Sequence, residues 1–282
     1  MIVEVAKHAG FCFGVERALK MTEELSESKA LVTLGPLIHN EQVVDKLEDK
    51  GVYAVKTVQE ASGHAMIVRS HGAPKSVFLE AEKTGIDLVD ATCPFVTKIH
   101  KIVQEQAAAG RQIIIVGDPK HPEIVGIKGW CDNNAIIIED EIAAKGLTLN
   151  GPACIVVQTT FRNERFQRMI ELIHSDGQDV LVFNTICSAT TKRQDAAEEL
   201  SKRSDCMIVV GGKKSSNTKK LLEICQKHCE NSILIQTVED LMMKSLTNCD
   251  KIGITAGAST PDWIINEIIH KINEGEGMVD GR

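Results

Sequence analysis

The sequence predicts an α/β protein with mainly parallel sheets, divided into three related parts. Three observations predict it. One local unit recurs along all 282 residues: a short β-branched run, a loop of Gly, Pro or small polar residues, then an amphipathic helix. Continuous apolar strands alternating with helices indicate parallel sheets covered on both faces. A chain of this length exceeds one compact core and suits two or three small domains. A short cysteine-containing string also appears three times, at intervals of 81 and 94 residues.

The units follow in order. MIVEVAKHAGF leads into CFGVER, LVTLGPLIHN precedes EQVVDKLEDKG, and MIVRSHGAP precedes KSVFLEAEKTG. IDLVDAT leads into CPFVTK, IIIVGDPKHPE opens an apolar helix, and CIVVQTTFRN precedes ERFQRMIELI. DVLVFNTI leads into CSATTK, MIVVGGKKSSN precedes TKKLLEIC, and KIGITAGAST precedes PDWIINEII. Cys12, Cys93 and Cys187 each follow a strand-like run and open a helix-like stretch. Each string reads Cys, two residues, Val or Thr, Glu or Thr, then a basic residue. Self-similarity at this spacing predicts three domains in pseudo-threefold array. We place them at 1–93, 94–184 and 185–282, with residues 1–13 left open to pack elsewhere.

Composition narrows the function. The hydrophobic fraction of 43% and charged fraction of 25% are those of a soluble globular protein. A formal charge of −7, with 4% aromatic residues, argues against a nucleic-acid partner. No apolar run approaches the ~20 residues that span a bilayer. The start has no secretory pattern, so a cytoplasmic protein is expected. Reducing cytosol makes disulfides among the nine cysteines unexpected.

A thiol at a helix start feels the positive end of the helix dipole and ionises more readily. Three convergent thiolates suit an iron–sulfur cluster, with one iron left open; zinc is the competing metal. Cys131, Cys154, Cys206, Cys225, Cys229 and Cys249 are expected to be buried thiols. Cys225, Cys229 and His228 could share a metal, although core packing is the simpler reading. The loops GPLIHN, SHGAP, GGKKSSN and TAGAS place backbone N–H groups where an anion would bind, and His39, His71, His121, Ser215, Asn217 and Ser259 add side-chain donors. No Walker loop or GxGxxG fingerprint occurs. Glu123 is the candidate proton donor, because a carboxylic acid in a water-poor pocket can hold and deliver a proton. Thr159 could orient a substrate hydroxyl. The plainer alternatives are a helix-start carboxylate for Glu123 and a helix cap for Thr159.

These stretches, with DATCPFVTK, HPEIVG, QTT and CSATTKRQ among them, resemble the LytB family of 4-hydroxy-3-methylbut-2-enyl diphosphate reductases from GFCFGVERAL to TAGASTPDW. The resemblance implies a trefoil of three α/β domains around one [4Fe-4S] cluster. Cys12, Cys93 and Cys187 would be its ligands. His39, His71, His121, Ser215, Ser216, Asn217 and Ser259 would bind the diphosphate. Glu123 would donate the proton and Thr159 would contact the substrate hydroxyl. The implied reaction is the last step of the methylerythritol phosphate route, giving isopentenyl and dimethylallyl diphosphate, with ferredoxin or flavodoxin as electron donor. Two other classes remain to be weighed: a zinc phosphohydrolase using His39, His71, His121 and Glu123, and a non-catalytic cluster or anion sensor.

Overall fold

A computed structural model describes residues 1–173, 177 and 179–279. Its regular elements run in chain order as β1 (Ile2–Val5), α1 (Phe13–Ser26), β2 (Leu31–Leu34), α2 (Glu41–Asp49), β3 (Tyr53–Val55), β4 (Ala65–Val68), α3 (Lys75–Thr84), β5 (Leu88–Asp90) and α4 (Pro94–Ala108). There follow β6 (Gln112–Val116), α5 (Pro122–Gly129), β7 (Ala135–Ile138), α6 (Glu141–Lys145), β8 (Ala153–Val157), α7 (Asn163–Leu172) and β9 (Val180–Phe183). The last are α8 (Ser188–Ser201), β10 (Cys206–Val210), α9 (Ser216–Gln226), β11 (Ser232–Ile235), β12 (Lys251–Ala256) and α10 (Asp262–Val279). No described helix is long and apolar enough to cross a membrane.

Three four-stranded sheets result, ordered β3-β2-β4-β5, β7-β6-β8-β9 and β11-β10-β12-β1. Every pairing is parallel. The three orders are one order repeated. In the first two sheets the first strand in sequence lies second, as β10 does in the third, and in each sheet the strand leading to a cysteine lies at one edge. For the last sheet that edge strand is β1, taken from the opposite end of the chain, with Ile2 in register with Lys251.

The chain forms two compact units. One contains Met1–Phe13, His39–Gln42 and the chain from Ser188 onward. Its sheet separates two apolar layers. Ile208, Val210, Ile254 and Ile268 pack on one side. Met207, Val209, Leu221 and Cys225 pack on the other. That opposition is the period-two alternation of a strand covered on both faces. The other unit contains Gly14–Ile38 and Val43–Cys187, with the first two sheets. In the second sheet, Ile114, Val116, Ile155 and Val157 meet Phe166 and Met169 of α7. Ile113, Ile115 and Val156 meet Ile99, Ile124 and Ile127 of α4 and α5. Within this unit the indole N–H of Trp130, just past α5, donates to the Ala73 carbonyl at 2.9 Å. Trp130 also stacks on His100 of α4, with ring centroids 5.1 Å apart. These contacts tie the loop after β4 to α5.

Candidate functional site

The repeated topology gives every candidate residue one of three addresses. Loops after the second strand in sheet order (β2, β6, β10) carry His39, His121 and Ser215. Loops after the third strand in sheet order (β4, β8, β12) carry His71, Thr159 and Ser259. Loops after the edge strands β1, β5 and β9 carry Cys12, Cys93 and Cys187, each immediately before a helix. All lie beyond the carboxyl ends of parallel strands, where α/β sheets bind ligands.

A matching hydrogen bond fixes each cysteine. The Cys12 amide donates to the Ala258 carbonyl at 3.2 Å, that of Cys93 to Ser70 at 3.0 Å, and that of Cys187 to Thr159 at 3.0 Å. In every case the acceptor lies in the loop after the neighbouring strand of the same sheet. Cys93 is the N-cap of α4, with Pro94 as its first helical residue. These three cysteines are half-buried, whereas the other six are buried. Burial pushes the Cys131 and Cys154 thiols up to about 11, and those of Cys206 and Cys225 up to about 12. His228 Nε2 meets Glu198 at 3.2 Å, and Cys225, His228 and Cys229 do not form a candidate metal site among the described residues.

Within the two-sheet unit, α5 begins at the site. His121 is its N-cap, and its Nδ1 accepts from the Glu123 amide at 3.2 Å. The His71 and His121 rings meet edge to face at 5.3 Å. Glu123 is 1% exposed. Its Oε1 accepts from the Thr159 amide at 2.7 Å and its Oε2 from the Thr159 hydroxyl at 2.6 Å. The carboxyl group therefore joins α5 to the loop after β8, rather than serving only its own helix start. Thr159 is not a helix cap either, since Arg162 holds that position on α7.

Within the other unit, Ser215 caps α9 by accepting from the Thr218 amide. Asn217 is 4% exposed, and neither Nδ2 nor Oδ1 has a hydrogen-bond partner among the described residues. An unpartnered buried carboxamide costs about 1–3 kcal/mol, so its retention in a helix's first turn points to a polar ligand. Gly212 lies so close to His39 that a Cβ there would sit 2.3 Å from the His39 carbonyl oxygen. Only glycine allows these two loops to touch.

The LytB protein family matches residues 3–273. The chain belongs to that family. A 4-hydroxy-3-methylbut-2-enyl diphosphate reductase of Alkaliphilus oremlandii is 48% identical over 277 residues, covering 97% of this chain and 99% of the relative. The reductase of the same name from Clostridioides difficile is 46% identical over 275 residues, covering 95% and 98%. Among solved structures, the E-1-hydroxy-2-methyl-but-2-enyl-4-diphosphate reductase of Plasmodium falciparum is similar, with a TM-score of 0.90 at 30% identity, covering 95% of this chain and 87% of that one. A second, (E)-4-hydroxy-3-methyl-but-2-enyl diphosphate reductase, the terminal enzyme of the non-mevalonate pathway, gives a TM-score of 0.70 at 37% identity, covering 97% and 100%.

Some features of this LytB-family chain escape a reading of the sequence. Gly14 lies in α1, where a Cβ would come within 2.8 Å of the Cys93 sulfur. Arg17 Nη1 donates to the Thr92 carbonyl at 3.3 Å, and Arg193 Nη2 to the Gly10 carbonyl at 2.8 Å. A basic residue at or just past the end of two of the cysteine strings was the available signal. Nothing local says which carbonyl it meets.

Proposed function

We propose that this chain reduces (E)-4-hydroxy-3-methylbut-2-enyl diphosphate to isopentenyl and dimethylallyl diphosphate, with Cys12, Cys93 and Cys187 holding a [4Fe-4S] cluster. The observation that carries the reading is their equivalent placement: half-buried, before a helix, with each amide tied to the adjacent loop. Burial raises the thiols of Cys131, Cys154, Cys206, Cys225 and Cys229, which suits them to the core rather than to a metal. The missing Cβ at Gly14 leaves room beside the Cys93 sulfur. That donor set suits iron and sulfide.

The reaction takes up two electrons and two protons, breaks the allylic carbon–oxygen bond and releases water. When bound, the cluster supplies Lewis acidity and electrons one at a time. His39, His71, His121, Ser215, Ser216, Asn217 and Ser259 hold the diphosphate. Binding energy spent at that remote group orients the reacting carbon. Glu123 holds a proton on its carboxyl oxygen for delivery toward the leaving hydroxyl, and the Thr159 hydroxyl bonded to it positions that oxygen. Ferredoxin or flavodoxin supplies the electrons in the cytoplasm. Of the three domains, 1–93 contains Cys12 and Cys93, 94–184 contains His121, Glu123 and Thr159, and 185–282 contains Cys187.

Replacement of the ligands tests this. Cys93→Ser is expected to lose most iron, sulfide and visible absorbance together with turnover on dithionite and viologen. Cys225→Ser, a core change, is expected to keep both. Full cluster content in Cys93→Ser refutes the assignment.

A further inference from the structure

The basic residues of the cysteine strings have so far no part in the chemistry. The string opened by Cys12 ends at Arg17, that opened by Cys93 at Lys98, and that opened by Cys187 at Lys192 followed by Arg193. Lys98 and Lys192 are exposed. The two arginines are turned inward, and each reaches a different cysteine's loop. Arg17, half-buried on α1, donates to the carbonyl of Thr92, the residue before Cys93. Arg193, 3% exposed on α8, donates to the carbonyl of Gly10, two residues before Cys12. The helix that follows one cysteine thus supplies a guanidinium to the loop that precedes another. Each pair lies within one compact unit: Arg17 and Thr92 in the unit with the first two sheets, Arg193 and Gly10 in the other.

We propose that Arg17 and Arg193 are positioning residues for the cluster, fixed cations that each hold one cysteine loop and raise the reduction potential of the iron–sulfur group. The inference rests on the cluster assignment made above. A guanidinium keeps its charge at any physiological pH and is more weakly hydrated than an ammonium, which suits burial. Burying one charge is costly unless it is hydrogen-bonded and meets opposite charge. Carbonyl acceptors meet the first need, and a cluster with three thiolate ligands would add opposite charge nearby. The bonded carbonyls lie one or two residues from the ligand, ~4–8 Å along the chain. That is inside the ~10 Å screening length of ordinary buffers, and burial screens less. Each electron accepted adds one negative charge, so a nearby fixed cation favours the reduced form. Net charge and hydrogen bonding around the sulfurs set such potentials. Two further consequences distinguish charge from shape. The effect follows the charge, so lysine restores it. It also follows burial, so the exposed Lys192 contributes little.

The test uses anaerobically purified, cluster-loaded protein and a redox titration of the cluster monitored by EPR, with iron and sulfide content measured on each sample. Arg17→Gln and Arg193→Gln are expected to load a cluster and titrate at a more negative midpoint. The shift should be larger for Arg193 and about additive in the double variant. Arg17→Lys and Arg193→Lys are expected near the wild-type midpoint, and Lys192→Gln is expected to leave it unchanged. Should Arg193→Gln fail to fold, Arg17→Gln and Arg193→Lys decide the question alone. A cluster that titrates at the wild-type midpoint in Arg17→Gln overturns the proposal. So does a Lys variant that falls as far as Gln, or a Lys192→Gln shift equal to that of the arginines. Wild-type protein holding no cluster, or Cys93→Ser holding a full one, would instead overturn the cluster assignment itself.

Discussion

Glu123→Gln separates the proton from the shape that carries it. The carboxyl group is 1% exposed and accepts two bonds from one residue, the Thr159 amide at 2.7 Å and the Thr159 hydroxyl at 2.6 Å. Glutamine can still accept from the amide through its carbonyl oxygen. Its NH₂ then faces the Thr159 hydroxyl, which can rotate and accept instead of donating. A protonated carboxyl group and a carboxamide are both neutral, so re-forming the two bonds costs at most about 1 kcal/mol each, about 2 kcal/mol for the pair. A native stability of about 5–15 kcal/mol survives that. The chemical loss is larger, because a positioned acid contributes about 10²–10⁴ in rate, or about 3–5 kcal/mol of barrier. Expected, therefore, are normal iron content, a slightly lower urea midpoint, retained substrate binding and turnover with reduced viologen down by about 10²–10⁴. Thr159→Val removes only the hydroxyl and is expected to lower turnover while leaving the cluster intact. Near wild-type turnover in Glu123→Gln would refute the reasoning and leave Glu123 as a structural tie between α5 and the loop after β8.

Gly14→Ala should gain about 1 kcal/mol of helix propensity, yet its Cβ would stand 2.8 Å from the Cys93 sulfur. The expected result is unchanged helicity by circular dichroism with reduced iron content; full loading would show that the sulfur moves freely. Asn217→Ala should raise KM for the diphosphate substrate and weaken pyrophosphate inhibition in parallel, by about 1.5–3 kcal/mol for a donor to a charged group; unchanged inhibition counts against the cradle. His100 is held neutral by burial, which depresses its imidazole from 6.5 to about 4, with Asp90 opposing in part. A depressed histidine means that the unfolded chain binds the extra proton. Its contribution is complete above about pH 6.5 and is lost as pH falls toward 4, about 3 kcal/mol in all. Urea denaturation at pH 7, 5.5 and 4 should show a shallower loss in His100→Asn than in wild type, and parallel curves would contradict this.

Much of this protein was legible locally. Each β-branched run followed by a small-residue loop and a 3.6-residue period is a strand, turn and helix, because those preferences act over a few neighbours. The cysteines stand at helix starts for the same reason, as do His121 and Ser215 as N-caps. Chemistry at a helix start is readable because the dipole and the open N–H groups belong to the helix itself. The tertiary structure decided what depends on residues far apart. Nothing in MIVEV says that it pairs with KIGITA across 249 residues. Parallel strands have no connecting turn to reveal their register. Nor does HPEIVG disclose that Glu123 meets Thr159, 36 residues on, or CFGVER that Gly14 leaves space for Cys93 and Arg17 holds Thr92. Local pattern sets which face of an element is apolar and where its ends lie. Which loops then come within hydrogen-bonding distance is fixed only when sheets pair and helices pack, since those contacts form between segments with no sequence relation to one another.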